Sequence, residues 1–213
     1  MINGNHTCAC WMWKLFPPTP KNCPLTCVQL SVMLMNTPDE ILATAAASGD
    51  SSAFGVLLER HYDRVLGLCW RLTGNRADAQ DLCQDICTSL PAKLATWRGD
   101  ARFTTWLYRV TVNAAHDLRR RQSTRTRASA GWGDWELARQ DKIATDRDAA
   151  AWLTQTMAQL PPELRDTVAL VLGEDMTQAE AARVLGLSEG TIAWRMSEVK
   201  KRLRQIAKQE GTT

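Results

Sequence analysis

Apolar residues recur along most of this chain at intervals of three and four, the period of an α-helix with one buried face. In "SSAFGVLLERHYDRVLGLCWRLTG" the stripe is Phe54, Leu57, Leu58, Val65, Leu68 and Leu72, closed by Gly74. In "NRADAQDLCQDICTSL" it is Leu82, Ile86 and Leu90, flanked by Cys83 and Cys87, while Asp78, Asp81 and Asp85 line another face. Pro91 follows, and its missing N–H and ring clash predict a kink or an end to that helix. A loop, "WRGDAR", precedes a long helix with the stripe Phe103, Trp106, Leu107, Val110 and Ala114. Trp106 lies on that stripe, so it suits the core better than an exposed stacking platform. No segment alternates with period two, so no strand is expected.

The ends of these segments carry their own signals. "TPDE" at 37–40 places Thr37 to cap, Pro38 at the first helical position and Glu40 to complete a capping box. The short helix "DEILATAAASGD" closes at Gly49. Residues 124–147 lose the pattern around "GWGDW" and are expected to be a linker. Helices resume with "DAAAWLTQTMAQL" and "PPELRDTVALVLGED". The expected fold is therefore all-α: two small helical domains, 36–123 and 148–210, joined by a flexible linker.

Residues 177–205, "TQAEAARVLGLSEGTIAWRMSEVKKRLRQ", have helix-turn-helix spacing. Thr177 and Glu180 form a capping box, Ala181, Ala182 and Leu185 face inward, and Gly186 makes the corner. Leu187 plugs the gap, Ser188 caps the second helix, and Ile192 and Met196 anchor it. The outer face of the second helix is left to Glu189, Ala193, Trp194, Ser197 and Glu198.

Charge sharpens this picture. The net charge of +3 is mild, but its distribution is not even. Five Arg fall within 119–127, and six basic residues between Arg195 and Lys208 face only Glu198. Either cluster alone could be a solvated face; together with the helix-turn-helix they suggest two contact surfaces for a polyanion. The first 35 residues, rich in Cys, Trp and Pro, show no period. Cys8, Cys10, Cys23, Cys27 and His6 could be a zinc knot, but C-x-C with C-x3-C matches no common module. A disordered or non-native extension, with Met33 or Met35 as the start, is the plainer expectation. An odd count of seven Cys, three of them on helix faces, argues against a secreted disulfide framework. Cys83 and Cys87 could sense redox or metal, but suit a buried small-residue pair better. No signal peptide or membrane span is evident, so a cytoplasmic protein without membrane insertion is expected. The three His are scattered, so no catalytic or metal site is expected, and no cofactor.

Four segments in order resemble the small bacterial RNA polymerase sigma factors of the extracytoplasmic-function group. "ASGDSSAFGVLLERHYDRV" and "DAQDLCQDI" resemble the opening and the polymerase-binding helix of region 2. "WRGDARFTTWLYRVTVNAAHDLRRR" resembles its promoter-melting segment, and 160–204 resembles region 4. The resemblance covers nearly all of 37–205; Pro91, Trp194, Ser197 and the first 35 residues depart from it. It implies two partners, core RNA polymerase and promoter DNA, and commonly a third, an anti-sigma factor. It places Asp81, Gln84 and Asp85 on the polymerase. It places Arg98, Arg102, Arg109, Asn113, Arg119 and Arg120 at the minus-ten element, with Asn113 reading a flipped base and Arg121 a further phosphate candidate. At the minus-thirty-five element it places Ser188, Thr191, Ala193, Trp194, Arg195, Ser197, Glu198 and Lys201. A helix-turn-helix regulator that binds DNA without joining the polymerase is the rival expectation.

Overall fold

The computed structural model describes residues 36–129, 157 and 159–210. The expected N-terminal extension, most of the linker and the start of the second domain lie outside the described residues. Seven helices are described: α1 Asp39–Ala47, α2 Ser51–Thr73, α3 Arg76–Leu94, α4 Phe103–Ser129, α5 Pro162–Val171, α6 Gln178–Leu185 and α7 Glu189–Glu210. Among the described residues no strand occurs.

Helices α1 to α4 form one unit, with α2 packed against each of the others. Its core holds Leu57, Leu68, Leu72, Ile86, Leu94, Phe103, Leu107 and Val112, all essentially without solvent contact. Local chemistry sets the breaks between helices. Asp50 accepts from the amides of Ser52 and Ala53 at the start of α2, and Gly74 ends it in the left-handed conformation, φ 73°. Asn75 caps α3 through the amides of Ala77 and Asp78. Helices α5 to α7 form the second unit, with α7 lying against α5 and α6 and burying Ile192, Met196 and Val199 at helical spacing.

Four expectations need correction. Pro91 neither ends nor breaks α3, which continues to Leu94. Leu90 and Leu94 are both buried, so core packing on either side holds the last turn. The proline itself lies on the exposed side, where the carbonyl it leaves unpaired can reach water. At α1, Pro38 is the N-cap and no side chain caps the helix. Glu40 instead accepts from the amide of Phe103 at 3.4 Å, and Asp39 binds Arg60 and His61 at 2.6 and 2.8 Å. The buried face of α4 is Phe103, Leu107, Tyr108, Thr111, Val112 and Ala115, turned slightly from the expected stripe. Trp106, Val110 and Ala114 are half-buried beside it, and Trp106 packs on Phe103 at 5.8 Å between ring centroids. Finally, α4 runs to Ser129, six residues into the expected linker.

Candidate nucleic-acid and protein interface

The helix-turn-helix forms as its sequence dictates. Thr177 Oγ1 accepts from the amide of Glu180, and the Glu180 carboxylate returns to the amide of Thr177 at 3.0 Å. These hydrogen bonds to Thr177 hold the Glu180 carboxyl below its usual range. Gly186 turns the corner at φ 67°, a conformation costly for residues with a Cβ. Ala181, Ala182 and Val184 are buried, and Leu185, expected inside, is only half-buried. Ser188 Oγ accepts from the amide of Thr191 at 3.2 Å and pairs with its hydroxyl at 2.9 Å. The first turn of α7 is thereby fixed, with helix N-terminal amides facing outward, where a phosphate would sit.

On α7 the outward face is Ala193, Trp194, Ser197 and Lys201, all exposed, Trp194 at 64%. A large aromatic ring held out in water by the packed Ile192 and Met196 below it is positioned for contact with a partner. Two other members of the expected set are already engaged. Arg195 donates to the carbonyl of Glu163 at 3.3 Å, and Arg202 holds Glu198 at 3.0 Å.

On the first unit, Asp81, Gln84 and Asp85 are exposed on α3. Asp81 and Asp85, though not Gln84, line a groove of about 290 Å³ between α3 and α4, together with Asp78, Asp117, Lys93 and Arg121. Four carboxylates there make a surface suited to a basic helix. On a neighbouring face of α4, Arg109, Asn113, His116 and Arg120 follow at intervals of four, three and four, so they share one face. All four are exposed, and Arg120 meets Asp117 at 3.3 Å. Arg98 and Arg102 are exposed on the loop leading into α4. This array of cations around one amide fits a single strand of nucleic acid, with phosphates held by Arg and a base edge within reach of Asn113.

Arg119 does not join that array. Its guanidinium is bidentate to Asp166 of α5, at 2.9 and 2.7 Å, and His116 Nε2 meets the same carboxylate at 2.8 Å. Asp166 is 3% exposed. Burial opposes its charge, but hydrogen bonds from His116 and Arg119 outweigh burial and hold its pKa below the ordinary value. A second ion pair joins the units nearby, between Arg71 of α2 and Glu174. Tyr108 of α4 adjoins it, its hydroxyl kept protonated by burial and by its hydrogen bond to Glu174. Residue order alone gave no hint that Asp166 and His116 meet. The available signal was Asp166 itself, a carboxylate four residues before the buried Leu170 on the same helix face.

The thiols of Cys83 and Cys87 are both held in the protonated form. Hydrogen bonding to Cys69, with burial, pushes Cys83 up to about 12, and hydrogen bonding to Cys83 raises Cys87 further. A reactive cysteine needs the opposite shift. Among the described residues no group of His, Cys, Asp and Glu could hold a metal ion.

Comparison with known proteins agrees with this geometry. The Sigma-70 region 2 family matches residues 57–125, and Sigma-70 region 4 matches 150–203. The ECF RNA polymerase sigma factor SigE of Mycolicibacterium smegmatis is 32% identical over 186 residues, spanning 82% of this chain and 72% of SigE. The structure of CnrH in complex with the cytosolic domain of CnrY is similar at TM-score 0.60 and 29% identity, over 80% of this chain and 97% of CnrH. The sigma factor RpoE from Bartonella quintana, solved with the anti-sigma factor NepR, shares the fold at TM-score 0.60 and 18% identity. That match covers 71% of this chain and 94% of RpoE.

Proposed function

Since the chain belongs to the extracytoplasmic-function sigma factors of bacterial RNA polymerase, we propose that it binds core RNA polymerase and directs it to promoters. The observation that carries this function is the presence, in one chain and in order, of a polar groove on α3 and α4, an Arg/Asn face on α4 and an exposed recognition helix α7. A regulator acting without the polymerase has no use for the first two.

In this assignment residues 36–123 are region 2 and 148–210 are region 4. Asp81, Gln84 and Asp85 dock on basic helices of the polymerase. Arg98, Arg102, Arg109 and Arg120 hold phosphates of the unwound strand at the minus-ten element, Asn113 reads a flipped base, and Arg119 joins them once it is released from Asp166. Region 4 reads the minus-thirty-five element through Ala193, Trp194, Ser197 and Glu198, with Ser188, Thr191, Arg195 and Lys201 on phosphates. Trp194 suits a thymine methyl, and Glu198 a cytosine amine once Arg202 lets it go. The protein acts by binding and catalyses no bond chemistry itself.

An anti-sigma factor is the expected regulator, in keeping with the protein partners captured on CnrH and on RpoE. Among the described residues no helix is long and apolar enough to cross a membrane. The cytoplasm, where polymerase and promoters meet, is the proposed site of action. Titration of the purified chain into sigma-free core polymerase tests the proposal. A saturable one-to-one complex is expected, and no complex formation would reject it.

A further inference from the structure

We propose that Glu40 of α1 and the Asp39–His61 pair are positioning residues for promoter opening: they seat Phe103, and Phe103 aims the loop 98–102 at the unwound strand. The proposal rests on the sigma-factor assignment above, which gives Arg98 and Arg102 of that loop their phosphates.

The loop has little of its own to hold it. Residues 98–102 are all exposed, and among the described residues nothing hydrogen-bonds to residues 98–101. Gly99 gives the loop its turn, at φ 78°. Its placement therefore depends on its two ends, Trp97 and Phe103. Phe103 is fully buried and ties both ends together, because the Trp97 ring meets it edge-on with centroids 6.3 Å apart. Whatever fixes Phe103 fixes the loop.

Two contacts from distant parts of the chain do so. The Phe103 amide, the first of α4, donates to the Glu40 carboxylate from 63 residues away, at 3.4 Å. An amide in the first turn has no partner within its own helix, and a carboxylate is favoured at that end. The Phe103 ring lies tilted against His61 of α2, with centroids 5.3 Å apart. His61 is oriented in turn by Asp39: its Nε2 donates to that carboxylate at 2.8 Å, while Nδ1 is buried with no partner among the described residues. Neighbouring acids in one turn of α1 thus hold Phe103 by its backbone and, through His61, by its ring.

Stability alone does not account for this arrangement. The first turn of α1 brings Asp39 inward, at 22% side-chain exposure, and leaves Ile41 60% exposed. Two buried ring nitrogens beside Phe103, His61 Nδ1 and Trp97 Nε1, have no partner among the described residues. Both features cost stability, and apolar side chains in the same places would avoid the cost. Such departures collect where position matters more than stability. Without the Glu40 contact the fold persists, but the loop spends less time in the competent position, and strand capture falls with that fraction.

The test uses the full chain bound to core polymerase, on the genomic fragment from which the wild-type chain starts its strongest transcript. Glu40→Ala removes the acceptor at an exposed position. It is expected to slow open-complex formation, read by permanganate, about two- to fivefold, the worth of one carboxylate at a helix start. Polymerase affinity should stay unchanged. Glu40→Gln, which can still accept, should recover most of the rate, and His61→Phe should slow opening as Glu40→Ala does. In an Arg98→Ala, Arg102→Ala background Glu40→Ala should add nothing, because it acts through that loop. Unchanged opening, equal slowing in both backgrounds, or a parallel fall in polymerase affinity would each overturn the positioning role. Hydrogen exchange on the free chain adds a readout without polymerase: the first turn of α4 should exchange faster in Glu40→Ala. Unchanged exchange there overturns the proposal even if His61→Phe fails to fold. Failure of the wild-type chain to bind polymerase would reject the sigma assignment separately, since the exchange readout does not involve it.

Discussion

Arg71 of α2 and Glu174, 103 residues further along, form an ion pair across the two units at the point where Gly173 leaves room for the arginine stem. A methyl group added at residue 173 would meet both the Ala169 carbonyl and Arg71. Gly173→Ala is therefore expected to destabilise the protein by about 1–3 kcal/mol, the usual cost of forcing atoms into a filled site. Urea unfolding monitored by circular dichroism measures it, and a variant as stable as wild type would show that the site can relax.

The helix-turn-helix depends on its first cap. Thr177→Ala removes the acceptor for the Glu180 amide, and substitutions of this kind cost about 0.5–2 kcal/mol. Thermal unfolding of the second unit should fall accordingly, with the first unit unaffected. Glu180 has a depressed pKa, so its share of the box is complete above the unfolded value of about 4.3 and is lost as pH falls through the lower folded value. Retention of full stability by Thr177→Ala would mean that the box contributes nothing.

Acid should open the contact between the units. The folded pKa of Asp166 lies below its ordinary value, so its contribution is fully present above about pH 3.9 and disappears as pH falls through the folded pKa. The groups facing it are His116 and Arg119 from α4 and, more distantly, Arg165 on its own helix. Scattering between pH 7 and pH 3 should show no change in the upper part of that range and expansion at its acid end. Asp166→Asn should lack that acid step. Expansion beginning near pH 6 would instead assign the control to a histidine.

Asn113 and Lys201 separate reading from holding. Asn113→Ala should slow open-complex formation by about 5- to 150-fold, the equivalent of about 1–3 kcal/mol for one base contact, with polymerase binding unchanged. Permanganate reactivity of the unwound strand measures it, and an equal fall in polymerase binding would remove Asn113 from the reading role. Lys201→Ala should weaken DNA binding alike across promoter variants and flatten the salt dependence by roughly one unit of slope. A loss confined to one base pair would move Lys201 to the reading set.

What the sequence made legible was local. Thr177, Glu180, Gly186 and Ser188 act through neighbours three or four residues away, and each holds the place that those rules assign. The apolar period located the helices for the same reason. Pro91 shows where local rules give way: packing of Leu90 and Leu94 into the core outweighs the proline's missing donor. On α4 the buried face departs from the apolar stripe because Tyr108 and Thr111, polar by type, turn into the core while Trp106 stays half-buried at its edge. The contact between the units was out of reach. Arg119 looked like one more phosphate-binding cation, and only the fold brings Asp166 against it from 47 residues away.

The most direct test of the central claim is transcription in vitro. Purified chain, both full-length and starting at Met35, is added to sigma-free core polymerase on a pool of genomic fragments, with the Asn113→Ala variant alongside. The account predicts discrete new transcripts with wild type, sharing one pair of upstream elements, and their loss with the variant. Absence of any new start site with either wild-type form, under conditions where a known sigma factor initiates, would contradict it.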